Sequence, residues 1–254
     1  MRVTFLGTGT SQGIPVISCP CEVCHSPDPH DNRFRTSLMV QSEKTSIVID
    51  SGPDFRMQML REEVKKLDAV LFTHAHKDHI AGLDDVRAFN YFQGIPMDAY
   101  GTKEVLVQIR AEFSYAFEPG NNYPGIPKIK LHTIDLQPFR IGDISFLPIQ
   151  VYHHKLPVLA FRFNDFTYIT DANFISDEEK EKIKGTRYLV VNALRREKHI
   201  SHFNLDEAIA LAKEVGAEKT YFTHISHQLG LHAVVSNDLP ENIYLAYDGL
   251  RIDL

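Results

Sequence analysis

THAHKDHIAG, residues 73–82, puts three histidines and an aspartate within six positions, directly behind the apolar run AVLF. Alternate residues of extended chain point the same way, so His74 and His76 converge on one ion. Asp78 and His79 emerge from the turn that follows and reach a second ion beside it. Imidazole suits zinc, iron or nickel, and the harder carboxylate widens the choice towards manganese. A lone His-x-His is more often a solvated turn, but H-x-H-x-D-H at the end of a β-rich run is a metal-site pattern.

Outward from this stretch the chain alternates strand-like and helical segments. VTFLG opens as a strand and passes into a Gly/Ser/Thr-rich turn, GTGTSQG. TSLMVQ and TSIVID form a hairpin around SEK. AVLFTH predicts a strand ending at His74, and GLDDVRAFNYF has helical spacing. DISFLPIQVYHH, VLAFRF and FTYITD predict three more strands. LDEAIALAKEVG predicts an amphipathic helix with a glycine stop. KTYFTH predicts a strand ending at His224, and NIYLAYDGLRIDL is strand-like. FEPGNNYPGIPK, residues 117–128, predicts a surface loop or lid. No stretch has the composition of a linker, and the expectation is one domain over 1–254.

The 254 residues, 43% hydrophobic, support a substantial core. A net charge of −6 argues against a dedicated binder of long nucleic acid. There is no run long enough to cross a bilayer, and MRVTFLGTGTSQG lacks the features of a signal peptide, so a cytoplasmic location is expected. All three cysteines, Cys19, Cys21 and Cys24, fall in SCPCEVCHS, residues 18–26. An odd number packed this tightly is a poor disulfide framework. It is a good metal knot, but one that lacks a fourth ligand.

HAHKDH resembles the signature of the metallo-β-lactamase superfamily. The resemblance implies an α/β (α+β) fold, the four-layer αβ/βα sandwich of two mixed β-sheets flanked by helices, with a di-metal site between the sheets. It also implies three further ligands at strand ends, in a set order. DISFLPIQVYHHKL offers His153 and His154. Neighbours on a strand face opposite ways, and the family's spacing to the following lysine favours His153. FTYITDAN supplies Asp171 as the bridging carboxylate, and KTYFTHISHQ supplies His224. The implied di-metal set is therefore His74, His76, Asp78, His79, His153, Asp171 and His224.

The resemblance is nearest to the PhnP-type cyclic phosphodiesterase branch, where a C-x-C-x-x-C knot is completed by a histidine just past the last ligand. Here that residue is His227, joining Cys19, Cys21 and Cys24 around a structural zinc; His25 is the competitor nearest in sequence. The branch also places a non-ligand histidine before a Leu-containing helix. SHFNLDEA matches with His202, in preference to His199, as general acid beside Asp78 in the catalytic machinery. Asp50 is a candidate to orient a ligand imidazole. Arg33, Arg35, Arg195 and Arg196 are the loop arginines within reach of a phosphate by chemistry alone.

The implied function is hydrolysis of a small cyclic phosphodiester, a ribosyl 1,2-cyclic phosphate or a 2′,3′-cyclic nucleotide, by a hydroxide bridging two divalent ions (zinc or manganese, with iron as a third choice). An RNA-processing nuclease of the same fold is the runner-up, although residues 117–128 are too short and too poor in Lys and Arg for an RNA-gripping arm. A non-catalytic relative of the pyrroloquinoline quinone biosynthesis proteins is the alternative of a different class. The expected partner is a small phosphodiester, with no membrane and no long nucleic acid. A homodimer is the default by base rate.

Overall fold

The computed structural model describes residues 1–120 and 123–254. Chain order first lays down β1 (Arg2–Gly7), β2 (Ser37–Gln41), β3 (Ser46–Ile49), β4 (Ala69–Leu71), β5 (Met97–Gly101) and β6 (Ile129–Thr133). It then lays down β7 (Phe139–Ile141), β8 (Ile144–His153), β9 (Leu156–Phe163), β10 (Phe166–Tyr168), β11 (Phe174–Ile175), β12 (Tyr188–Asn192), β13 (Lys219–Thr223) and β14 (Ile243–Leu245). β15 (Arg251–Asp253) returns to the first group. The first sheet runs β15-β1-β2-β3-β4-β5-β6, and the second runs β11-β8-β9-β10-β12-β13-β14 with β7 paired to β8.

Side-chain parity assigns the layers. Ile47 and Ile49 of β3, with Ala69 and Leu71 of β4, face Phe146, Phe161, Phe166 and Val190 of the second sheet across the central core. The intervening Val48 and Val70 point the other way, onto Phe55 and Met59 of α1 (Phe55–Arg61), Ile80 of α2 (Lys77–Ile80), Phe89 of α3 (Arg87–Gln93) and Ile109 of α4 (Lys103–Glu112). On the far side Leu189, Val191 and Phe222 meet Ile183, which follows α5 (Asp177–Glu181). They also meet Leu205 and Leu211 of α6 (Leu205–Val215) and Val235 of α7 (His232–Asp238). Each sheet is thus buried on both faces, which explains strands that are apolar without alternation. The result is the αβ/βα sandwich of two mixed sheets flanked by helices.

Strands β3 to β6 are mutually parallel, as are β10, β12, β13 and β14. Loops beyond the carboxyl ends of parallel strands form the crevice where open sheets place their chemistry, and here both sheets bring such ends together. The predicted strand ending at His74 is shorter: β4 stops at Leu71. Beyond it the Thr73 amide donates to the side chain of Asp50 and not to a neighbouring strand, so an apolar run predicts more ladder than the hydrogen bonds provide. In the expected loop at 117–128, positions 121 and 122 lie outside the described residues. None of the described remainder lines the cavity beside His74. Among the described residues no helix is long and apolar enough to cross a membrane.

Candidate metal centre

Three left-handed residues aim this site. Asp50 follows β3 with φ 64°, Asp171 follows β10 with φ 53°, and His224 follows β13 with φ 54°. Outside glycine that region is sparsely populated, and holding a residue there costs on the order of 1–3 kcal/mol. At each strand end the turn folds the polar side chain back into the crevice. Glycine serves the turn beneath α2: a methyl group on Gly52 would lie 2.0 Å from the Asp78 carbonyl oxygen.

Asp171 is the hub. Its Oδ2 lies 3.3 Å from His79 Nε2, 3.6 Å from His74 Nε2 and 3.5 Å from His202 Nε2, and its Oδ1 lies 2.8 Å from His224 Nδ1. Donor atoms fall into three groups sharing Asp171: with Asp78, His79 and His224; with His74 and His76; and with His153 and His202. The His153 ring lies 5.1 Å from that of His76 and 4.4 Å from that of His202. His154 does not join them. It is exposed, with φ 58°, and its amide donates to Asn173 Oδ1.

Hydrogen bonds fix the tautomers. His79 Nδ1 donates to Asp50 Oδ2 at 2.8 Å, and Thr73 Oγ1 donates to the same oxygen at 2.8 Å. With its proton committed there, Thr73 Oγ1 accepts from His74 Nδ1 at 3.0 Å. His153 Nδ1 donates to the Ser201 carbonyl at 2.8 Å. All three imidazoles therefore turn Nε2 inward, the arrangement by which outer partners orient metal ligands. His224 Nε2 pairs with Thr10 Oγ1 at 3.1 Å, leaving Nδ1 facing Asp171. Thr10, Thr73 and Ser201 are positioning residues that sequence reasoning missed; only the Gly/Ser/Thr-rich turn GTGTSQG hinted at the first.

Buried polar atoms are normally satisfied, yet His74 Nε2, His79 Nε2, His202 Nε2 and His224 Nδ1 crowd the carboxylates of Asp171 and Asp78 without a well-formed hydrogen bond. The electrostatics agree with a cation site. Burial pulls the His79 imidazolium down, but the carboxylates of Asp171, Asp78 and Asp50 outweigh it and hold the pKa well above its ordinary value. Burial would push the Asp171 carboxyl up, and His224 and His79 instead hold it well below the usual range. Burial drives His74 well below its ordinary value, and lowers His153 too. Imidazoles held neutral at His74 and His153, beside carboxylates held ionised at Asp78 and Asp171, are in the protonation states that ligands of a divalent cation take.

The Asp50 contacts predict an effect at a distance from the donor atoms. Asp50→Asn, which tolerates the left-handed backbone, should lower metal affinity or activity about 10–100-fold, measured by metal titration of the purified variant. Unchanged titration and turnover would show that Thr73 and packing alone hold His79 and His74.

The loop before α6 is fixed by a capping box, Asn204 and Glu207 exchanging bonds at its start. It carries His202, whose Nδ1 lies 3.1 Å from His199 Nδ1 and 3.2 Å from Ser201 Oγ. Burial lowers His202 to about 4. His199 is only half-buried, so both histidines occur in one chain of contacts running from the cluster towards solvent. The four loop arginines are committed elsewhere. Arg33 is buried and donates to Thr8 Oγ1 and the Ala246 carbonyl, and Arg35 pairs with Asp54. Arg195 donates to Gln228, and Arg196 donates to the Leu229 carbonyl.

The cysteine knot is a separate cluster. Cys19 Sγ and Cys21 Sγ each lie 3.3 Å from His227 Nδ1, and Cys24 Sγ joins them within 4.8 Å. Zinc–sulfur and zinc–nitrogen bonds at a tetrahedral angle give an S···N edge of about 3.5 Å, close to these spacings. His227 and the Cys24 backbone lower the Cys21 thiol to about 6, towards the thiolate a metal needs. Burial raises Cys24 to about 11. No disulfide links the three cysteines.

The comparisons agree with this geometry. A family model described as a beta-lactamase superfamily domain matches residues 45–225. A solved structure of a new diphosphatase from the PhnP family superposes with a TM-score of 0.93 at 38% identity, covering 100% of this chain and 97% of that one. Zinc-bound PqqB from Methylobacterium extorquens superposes with a TM-score of 0.80 at 18% identity over 100% of both chains, a likeness of fold. An octanoyltransferase of Porphyromonas gingivalis is 39% identical over 254 residues, 99% of this chain but 51% of that protein. The chain thus spans about half the length of that relative. A sandwich whose shared crevice gathers this donor set, matched by the family model over most of its length, places the chain in the beta-lactamase superfamily, with the metallo-β-lactamase fold.

Proposed function

We propose that the protein hydrolyses a phosphodiester of the small cyclic class, a ribosyl 1,2-cyclic phosphate or a 2′,3′-cyclic nucleotide. The observation that carries this reading is the set of four buried imidazole nitrogens crowded on the Asp171 carboxylate, none in a well-formed hydrogen bond. The likeness to a PhnP-family diphosphatase supports phosphorus as the centre attacked. His74, His76 and His153 with Asp171 would hold one divalent ion, and Asp78, His79 and His224 with Asp171 a second. Such ions supply a water ionised near neutrality and offset charge on phosphate oxygens.

The chain's own residues do the rest. In the balanced reaction, water oxygen bonds to phosphorus, one P–O ester bond breaks, and the leaving oxygen takes up a proton. His202 donates that proton from Nε2. It is neutral at rest because it is buried, and an anionic phosphate beside it raises its pKa. His199, at 3.1 Å and nearer solvent, passes a proton to Nδ1 of the neutral ring as Nε2 gives its own to the leaving oxygen, so His202 ends neutral.

The test is turnover of metal-loaded protein on ribose cyclic phosphates and on a p-nitrophenyl phosphodiester. His202→Ala should lower kcat about 100–1,000-fold on the cyclic phosphates. It should lower it far less on the p-nitrophenyl ester, whose leaving group needs no proton. A metal-loaded wild type inert on every diester removes the reading and makes carboxylic esters and thioesters the next substrates to try.

A further inference from the structure

A cavity of about 930 Å³ opens beside His74 and His76. It lies between the start of α4, the loop after β6 and the first residues of β9. Its walls are Val105, Ile134, Leu136, Leu156, Val158 and Leu159. Val158 and Leu159 are nearly inaccessible, whereas Leu136 and Leu156 remain 37% and 38% exposed at the rim. The charged lining residues are Lys103, Glu104 and Asp135, one cation against two anions. Thr102, Gln108, Thr133 and Gln150 add uncharged polar groups, so the lining offers little to a second phosphate, while its apolar wall suits an apolar group that would cover the two leucines.

Resting on the phosphodiesterase reading, we infer that the substrate's uncleaved ester arm carries an apolar alkyl or aryl group, seated in this cavity while the phosphate lies at the histidine cluster. The arm is assigned by position: His74 and His76 border the cavity and His202, the donor to the leaving oxygen, does not. In a cyclic phosphodiester both ester oxygens belong to one sugar, so the arm is that sugar with its substituent, and a nucleotide's flat base suits the apolar wall better than a plain ribosyl phosphate does. Leu136 and Leu156 set this preference, and both stand on the surface, so substituting them does not open the core.

The experiment measures kcat/KM of metal-loaded protein on p-nitrophenyl methyl, butyl and octyl phosphates, which share one leaving group. Each methylene is about half-buried in an open cavity, giving roughly a twofold gain per methylene and on the order of a hundredfold from methyl to octyl. In Leu136→Asp and Leu156→Asp the octyl-to-methyl ratio should fall about tenfold or more, since a charge would then face the chain. A wild type that takes the methyl ester as well as the octyl ester overturns this inference and leaves the phosphodiesterase reading standing. The same holds if both leucine variants keep the wild-type ratio. Failure to hydrolyse all three esters overturns this inference, and it overturns the phosphodiesterase reading too when the ribose cyclic phosphates are also left intact.

Discussion

Asp171→Asn is expected to strip both ions from the histidine cluster and to lower kcat/KM by about 10⁴-fold, leaving the cysteine knot loaded. Asp171 is the one residue shared by all three donor groups, and its two oxygens face four imidazoles. Losing a Lewis acid removes several kcal/mol of transition-state stabilisation, and about 5.5 kcal/mol corresponds to four orders of magnitude in rate. Asparagine is the informative substitution because it keeps the volume and tolerates the left-handed backbone at φ 53°. It removes the charge without asking the turn to relax. Alanine would confound charge with backbone conformation.

The contrast is Asp78→Ala, which touches one donor group. It should release one ion of the pair and leave the His74–His76 side occupied. Metal analysis by plasma mass spectrometry, paired with turnover on the p-nitrophenyl diester, reads both variants. If Asp171→Asn retains two site ions and more than about a tenth of wild-type activity, the carboxylate is not the shared ligand and the cluster must be rebuilt around His153 and His202.

Much of this was legible in the chain because metal sites are written in short range. THAHKDHIAG carries four donors on one turn, and LDEAIALAKEVG carries its own stop at Gly216, which adopts φ 67°. The parity of β3 and β4 was hidden because both faces are buried, so apolar runs announced strands without saying which face met the other sheet. AVLFTH ran three residues too far for the same reason: hydrophobicity records burial, not the hydrogen-bond partner, and Asp50 takes over from the ladder at Thr73. The left-handed turns at Asp50, Asp171 and His224 have no sequence signature beyond residue types that tolerate them. Charge alone singles out none of the loop arginines for phosphate, and Arg33 is a buried tie between the Thr8 turn and the strand end at Ala246. The apolar cavity was illegible because its wall joins residues 105, 134 and 158, which only the fold brings together.

Cys21→Ser should cost the protein one zinc and lower Tm by roughly 8–16 °C. Structural zinc contributes about 10–16 kcal/mol where it folds a small peptide. About a third of that is reasonable in a chain with three apolar clusters of its own, and about 4 kcal/mol moves Tm by this much at 150–250 residues. The second consequence is at the other cluster. His227 lies three residues beyond His224, and the link is pinned on both sides: the Ile225 amide donates to the Thr8 carbonyl and the Ser226 amide to the Leu194 carbonyl. A metal in the knot would hold the far end of that link to the segment at 18–26, so losing it should loosen His224. It leaves His74 and His76, on a different loop, where they were. The variant should therefore bind the ion at Asp78, His79 and His224 more weakly, and keep its affinity at His74 and His76. Titration of the metal-free variant with manganese or zinc, set beside its melting curve, separates these effects. A Tm within about 2 °C of wild type, with the same zinc content, would mean the three cysteines and His227 meet without a metal between them. A lower Tm with both catalytic-site affinities unchanged would confine the knot to stability, and the loop from 224 to 227 would then be rigid through its backbone bonds alone.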